Sequence, residues 1–435
     1  MFHDVVVFLT ETSTINASLE VAQSNAEITV NDAPPAVRSD SSELASTIDS
    51  RSLETLPLPT RNFLQLLTLA PGVTAPLTNN KAIGRNSPNV SVNGARVTQN
   101  GYEINGVDAG DISLHVFADV PVPAPESVSQ VNVQTSLYDA SVAGAGGSVP
   151  VATRSGTNSV HGSVYEYFQN EAFNANDANL NAVGLGRPEM RRDMYGATVG
   201  GPLRKNKVFF FVSYQGTRQA NGATDQSLYK SVLIAPGLTN DRSAATLMKE
   251  FGVLSIDPIS LKLLNFKLPN GEFLIPTPQT PSGGVTGTAL STFHEEQFNS
   301  NVDYRINSND FVTGKFFFAH APLFSALAGS NFGVPASLPG FGALINVDNR
   351  VLSVQEIHTF SPTAVNEARF GYSFLRHDEV PQEAVQDSAI GMQRSTSDQY
   401  PGLPLIVMGR DDGGASIGTS NLTYRGNVPS LSFSM

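Results

Sequence analysis

Three times along the chain, two alternating strands of about ten residues flank a tight polar turn, and this repeat constrains the fold more than any other feature. Met194–Gly201 and Val208–Gly216 flank the turn 202–207. Gln297–Ile306 and Phe311–Ala319 flank Asn307-Ser308-Asn309-Asp310, and Val351–Phe360 and Val365–Arg376 flank Ser361-Pro362-Thr363. An aromatic strand, Gly162–Asn170, precedes them. Ten residues is about the length a tilted strand needs to cross a bilayer. The opposite connections are long and irregular, such as Gln219 to Thr292 and Pro322 to Asn349. Tight turns at one end and long loops at the other are the layout of an outer-membrane barrel.

The alternation has two readings. In Phe298-Asn299-Ser300-Asn301-Val302-Asp303-Tyr304-Arg305-Ile306, apolar Phe298, Val302, Tyr304 and Ile306 share one face. Asn299, Asn301, Asp303 and Arg305 share the other. In a soluble sandwich these faces would be core and solvent; in a membrane barrel, lipid and lumen. Periodicity leaves both open.

Composition narrows the classes. Only 15% of the residues are charged, and Gly (37) and Pro (27) are plentiful, which suits β-structure with many turns. The net charge of -12 gives nucleic acid no basic surface. Cysteine is absent, which excludes disulfides, thiol catalysis and zinc–thiolate sites. No apolar run approaches the ~20 residues of a spanning helix, and Met1-Phe2-His3-Asp4 does not open a secretion signal.

The first half reads differently. Residues 1–31 form short strands that suit the tail of a β-sandwich, and 32–42 is a Pro/Ser/Asp linker. A helix is predicted from Glu43 to Leu53, and a second from an N-cap at Thr60 to a stop at Pro71-Gly72. Strands follow at Asn89–Asn93, at Tyr102–Ile104 with a turn at Asn105-Gly106, and at Val128–Thr135. Ser148–Thr153 alternates too, but Pro150 suits an edge strand. Residues 43–157 thus read as a small mixed α/β unit, with strands of the second type over 158–435.

Several segments, in order, resemble the Oar-like group of TonB-dependent receptors. They are Leu56-Pro57-Leu58-Pro59-Thr60-Arg61-Asn62-Phe63, Ser91–Arg96 with Asn100–Asp108, Ser129–Thr135, Gly146-Gly147 through Asn158, His161–Phe168, and Tyr195–Leu203 with Lys207–Phe211. The resemblance is dense over about residues 50–216 and looser to about 377. It implies a mainly β fold: a carboxypeptidase-regulatory-like remnant (1–31), a plug (43–157) and the first part of an outer-membrane barrel (158–435). It also implies truncation at both ends, short of a barrel of about 22 strands, and such a half-barrel is expected not to insert stably alone.

The resemblance implies partners and sites as well. They are a TonB-type periplasmic coupling protein, outer-membrane lipid and an extracellular solute that the sequence does not identify; no cofactor or metal is implied. Ala26-Glu27-Ile28-Thr29-Val30 resembles a TonB box, a β-prone segment able to add a strand to a partner's sheet edge. The alternative is the last strand of the N-terminal sandwich. Asn93-Gly94, Gly106, Asp108 and Gly146-Gly147 read as tight plug turns. Arg96 and Arg154 read either as anchors to wall carboxylates or as surface residues.

Enzymatic chemistry finds no support. There is no P-loop, Rossmann fingerprint or G-x-S-x-G, and Phe298 stands where a zincin motif beginning at His294-Glu295 needs its second histidine. The acidic pairs Glu295-Glu296 and Asp411-Asp412 read as solvated loops, and the seven histidines are scattered. The rival to a transporter is a structural or adhesive surface β-protein; a secreted hydrolase lacks its catalytic constellation.

Overall fold

Thr47 and Ile48 lie where helical spacing is expected, yet in the computed structural model they are strand. The structure describes residues 44–75, 82–85, 87–110, 120–136, 146–224, 227–327, 338–361, 363–397, 399–400, 402–408, 415–418 and 424–434. The segments 1–31 and 32–42, with Ala26–Val30, and the pair Asp411-Asp412 lie outside them.

The α/β unit contains β1 (Leu44–Asp49), α1 (Ser50–Thr55), β2 (Val73–Thr74), β3 (Ser91–Val92), β4 (Asn100–Ile104), β5 (Val107–Asp108), β6 (Val128–Ser136) and β7 (Gly147–Thr153). A sheet of order β1-β6-β7-β4-β5 organises it. β1 replaces the first half of the predicted helix because β6 offers it a partner, from Leu44 opposite Ser136 to Asp49 opposite Gln130. The helix begins only at Asp49, whose carboxylate accepts from the Ser52 N–H at 2.8 Å. The second predicted helix is a 3-10 turn over Phe63–Leu69, capped by Asn62 rather than Thr60. Thr60 is buried and donates to the Arg85 carbonyl at 2.6 Å. Pro150 is not at an edge: β7 lies between β6 and β4, opposite Glu103 in the parallel register with β4.

The second sheet has eight antiparallel strands in the order β19-β16-β15-β14-β13-β10-β9-β8. They are β8 (His161–Asn170), β9 (Met190–Arg204), β10 (Val208–Asn221), β13 (Ser291–Arg305), β14 (Asp310–Ser325), β15 (Ala343–Ser361), β16 (Ala364–Pro381) and β19 (Tyr424–Ser434). The expected hairpins all form, but most strands outrun ten residues, reaching 19 in β15. The excess runs toward the long connections. β19, which the sequence did not single out, pairs with β16 from Arg369↔Ser434 to Glu379↔Tyr424.

Burial decides what periodicity left open. On β13, Glu295, Gln297, Asn299, Asn301 and Asp303 are buried, while Phe298, Val302 and Tyr304 on the other face are about two-fifths exposed. A soluble sandwich would reverse this. The polar face is covered by the α/β unit, and the apolar face is left for lipid. The main core contains Leu53, Phe63, Val131 and Val151 of that unit together with Phe317, Ala319, Val347, Val351 and Leu375 of the eight-stranded sheet.

The described parts of the long connections carry elements of their own. β11 (Leu228–Leu233), α2 (Ala244–Phe251), α3 (Pro258–Asn265), β12 (Gly284–Thr288), β17 (Ile406–Met408) and β18 (Ala415–Ile417) lie in them. Val232, Leu247, Leu263, Leu274, Phe341, Leu403 and Ile417 share a second core there.

Candidate functional site

Arg61 stands at the centre of the seam between the α/β unit and the strand wall. Its φ is +53°, a left-handed conformation uncommon for a residue with a side chain. Its guanidinium is buried, ion-paired with Glu126 and stacked over the Tyr167 ring of β8 at 4.3 Å. Its carbonyl accepts from Arg85 Nη2 at 2.5 Å. Arg85 Nη1 reaches across to Glu295 Oε2 of β13 at 2.9 Å, with both side chains nearly free of solvent. Thr217 Oγ1 of β10 lies 3.3 Å from the same carboxylate oxygen. Arg192 of β9 is wholly buried and donates to the carbonyls of Pro59 at 3.2 Å and Ala82 at 2.6 Å.

Removing charges from water costs several kcal/mol per ion. Such a cluster therefore persists only where partners are held in place. Arg61–Glu126 lies within the α/β unit, which reaches the wall through the Arg85–Glu295 pair and the stacking of Arg61 on Tyr167. Further ties follow the same seam: Asn301 Nδ2 donates to Thr153 Oγ1 at 2.9 Å, Lys315 Nζ to the Thr153 carbonyl at 3.1 Å, and Ser353 Oγ to the Asn105 carbonyl at 3.0 Å.

The residues singled out in the sequence are placed as follows. Arg154 does not reach a wall carboxylate: it pairs with Glu54 of the α/β unit and donates to the Val128 carbonyl at 3.1 Å. Arg96 is exposed, outside any ion pair among the described residues. Asn93 (φ +49°) and Gly94 (φ +77°) make a turn, and Asn93 Nδ2 donates to the Thr135 carbonyl at 2.7 Å. Asn105 (φ +53°) and Gly106 (φ +72°) form the two-residue hairpin turn joining β4 to β5. Asp108 accepts from the Gly110 N–H at 3.0 Å. The Gly146 N–H donates to the Gln99 carbonyl at 2.9 Å, and Gly147 leaves room for the Val92 methyls, which a Cβ would meet at 2.8 Å.

Glu295 corrects the expectation of a solvated acidic pair. Adjacent residues on a strand point to opposite faces, so Glu295 enters the seam while Glu296 faces outward to Tyr214 and Arg218. Arg61, Arg85, Glu126, Arg192 and Glu295 all escaped sequence reasoning. Arg61 lay inside a quoted motif, and strand parity would have turned Arg192 and Glu295 inward, but nothing local pairs them.

Two features lie outside the seam. At the tight-turn end, Asp310, Glu356 and His358 bring ligand atoms within 4.8 Å of one another, and His358 Nδ1 is 2.5 Å from Asp310 Oδ1. In the loop layer a cleft of about 510 Å³ is lined by Tyr229, Asn240, Lys267, Phe273 and Gln279 among others. Burial pushes the Tyr229 phenol up to about 12, so it remains a hydrogen-bond donor at neutral pH.

Comparison with known proteins agrees with this geometry. Residues 152–432 match the family model for an outer membrane beta barrel domain. The TonB-dependent transporter Oar of Myxococcus xanthus is 28% identical over 233 residues, 49% of this chain and 21% of its own length. The outer membrane transporter YddB from Escherichia coli superposes at a TM-score of 0.51 with 12% identity, covering 79% of this chain and 40% of that one. A mutant of the ferric enterobactin receptor PfeA from Pseudomonas aeruginosa superposes at 0.52 with 11% identity, covering 90% and 45%. The chain thus spans about a fifth of the curated relative and less than half of each solved structure. With its apolar face outward and its polar face covered, the chain belongs to the outer membrane beta barrel family.

Proposed function

We propose that this chain is the plug and the first part of the wall of a TonB-dependent transporter, which takes up a solute through its barrel under force from TonB. Residues 43–157 are the plug and 158–435 the wall; 1–31 are the remainder of an N-terminal sandwich, joined by the linker 32–42. The observation that carries this reading is the buried charge cluster, in which Arg85 ties the α/β unit to Glu295 of the wall at 2.9 Å. A charge pair buried across the seam fixes the unit's place against the polar side of the wall, while a shared apolar core holds it against β14, β15 and β16.

Ala26-Glu27-Ile28-Thr29-Val30 is the segment on which TonB pulls, adding a strand to the partner's sheet edge. Ile28→Pro removes a backbone donor from that strand. The full-length protein carrying it loses capture by the periplasmic domain of TonB; undiminished capture would refute the assignment. The chain performs no covalent chemistry in this reading.

The folded loop layer, with its own core, favours a second reading: an adhesive surface protein without transport. Solute uptake that stops when TonB is deleted separates transport from adhesion.

A further inference from the structure

One arginine on the apolar face of the wall has no counter-charge. The strand register sets Tyr214, Phe298, Phe318, Arg350 and Phe374 side by side in one outward row across β10, β13, β14, β15 and β16. It is an aromatic row with a single cation in it. The next outward row toward the long connections holds Glu296, His320, Asp348 and Arg376. Its charges are matched: Glu296 pairs with Arg218, His320 Nδ1 lies 2.5 Å from Asp348 Oδ1, and Arg376 pairs with Asp378. Arg350 is exposed and makes no hydrogen bond or ion pair among the described residues. Its guanidinium instead lies over the rings of Phe318 at 5.8 Å and Phe374 at 5.6 Å.

A cation on a face turned to lipid is costly unless it reaches water or an anion at the membrane surface. The two rings orient the guanidinium by cation–π attraction and use none of its five N–H donors. That planar fork matches two oxygens of a phosphate. Height decides which phosphate it meets. From the tight-turn end of β15 at Ser361 to Arg350 the strand runs about 36 Å at ~3.3 Å per residue. For a tilt of about 40° that is roughly 28 Å above the tight turns, at the outer edge of the ~25 Å apolar band. The long connections leave the wall at this end, which is the extracellular one in an outer-membrane barrel. One row below, Phe316, Leu352 and Tyr372 offer acyl chains an apolar seat.

We propose that Arg350, cradled by Phe318 and Phe374, is the binding site for the phosphate of one outer-leaflet lipid, whose acyl chains lie over Phe316 and Leu352. The occupant is a single lipid held at one place by its headgroup, distinct from the bilayer that surrounds the rest of the wall. The acids one row above do not repel it, because Glu296, Asp348 and Asp378 are already paired with cations. The site rests on the apolar face being turned to lipid and is independent of transport and of TonB.

The probe is diphosphoryl lipid A, titrated into the full-length protein in a mild detergent, with the first bound lipid measured by native mass spectrometry. Heat-modifiable gel mobility confirms the folding of each variant. Arg350→Gln is expected to weaken binding at least about tenfold. Arg350→Lys keeps the charge without the fork and should lose less. Arg204→Gln, at the tight-turn end of β9, should lose nothing. In the parent, lipid A stripped of both phosphates should bind as weakly as the intact lipid binds to Arg350→Gln. Undiminished binding by folded Arg350→Gln, or equal binding of the stripped lipid, would overturn the site. An equal loss in Arg204→Gln would reduce the effect to net charge and overturn it too. Displacement of the lipid by an equimolar amount of inorganic phosphate would reveal a free-anion site and refute the lipid assignment.

Discussion

Arg85 and Glu295 are 210 positions apart in sequence and 2.9 Å apart in space, and neither side chain reaches solvent to more than 5%. Arg85 belongs to the α/β unit and Glu295 to the eight-stranded sheet, so the pair helps join the two. Breaking one side of a buried pair leaves the other charge uncompensated and costs about 3–5 kcal/mol, whereas replacing both with apolar groups is near neutral. Arg85→Met is therefore expected to destabilise the α/β unit by that amount, and Arg85→Met with Glu295→Met to restore most of it. Urea unfolding of the four proteins of the cycle, followed by proteolysis of the released unit, measures the coupling. Equal losses in the single and double variants would show that the pair does not hold the unit.

The outward belt gives a prediction that a soluble sandwich would not share. Val302 lies in mid-belt and is 43% exposed. Val302→Lys should cost about 2–4 kcal/mol of folding into lipid vesicles, as a cation near the bilayer midplane does. Ser300, on the same face, should accept Leu without loss. Urea titrations of the full-length protein refolded in vesicles check both; a harmless Val302→Lys would place this face in water.

Two glycines with similar backbones should respond differently. Gly94 and Gly106 have φ of +77° and +72°. A side chain at either costs about 1–2 kcal/mol for the left-handed conformation. At Gly94 a Cβ would meet nothing within 4 Å, whereas at Gly106 it would meet the Arg369 guanidinium of β16. Gly106→Ala should therefore cost a little more than Gly94→Ala, the flexible Arg369 guanidinium having to swing aside, and substituting Arg369 with Ala should close the gap. Thermal unfolding of the α/β unit reads the difference.

The Asp49 cap predicts a pH dependence. The Ser52 backbone N–H, then the Ser52 side chain, hold its carboxyl below the usual 3.8. A depressed acid contributes stability that is present above its unfolded value and lost as pH falls through the folded one. Asp49→Ala should cost about 0.5–1 kcal/mol at neutral pH, and the difference from the parent should vanish below the lowered pKa. Asp49→Asn keeps the cap and should flatten that part of the profile. Unfolding midpoints between pH 2 and 7 provide the test.

Much of the wall was legible because strand period and turn chemistry are local. The polar turn Asn307–Asp310 closes on itself: Asn307 Oδ1 accepts from the Asp310 N–H at 2.9 Å, and every atom of that bond lies within four residues. The hairpin turn at Asn105-Gly106 was legible for the same reason, since positive φ at two positions is a local demand. The stretch Leu44–Asp49 was not. Its local spacing favours a helix, and only the free edge of β6, more than eighty positions away, makes it a strand.

Glu295 and Glu296 divide what the sequence determined from what the structure decided. That two adjacent identical residues on a strand face opposite ways follows from the backbone period alone. The sequence therefore determined that the wall has two faces, one apolar and one polar, and which residues share each. It did not determine which face is dry, because burial depends on what covers a surface. The α/β unit covers the polar face, and with it Glu295 acquired Arg85, a partner 210 positions away that no local pattern could name. The apolar face, left outward at Phe298, Val302 and Tyr304, became the surface for lipid.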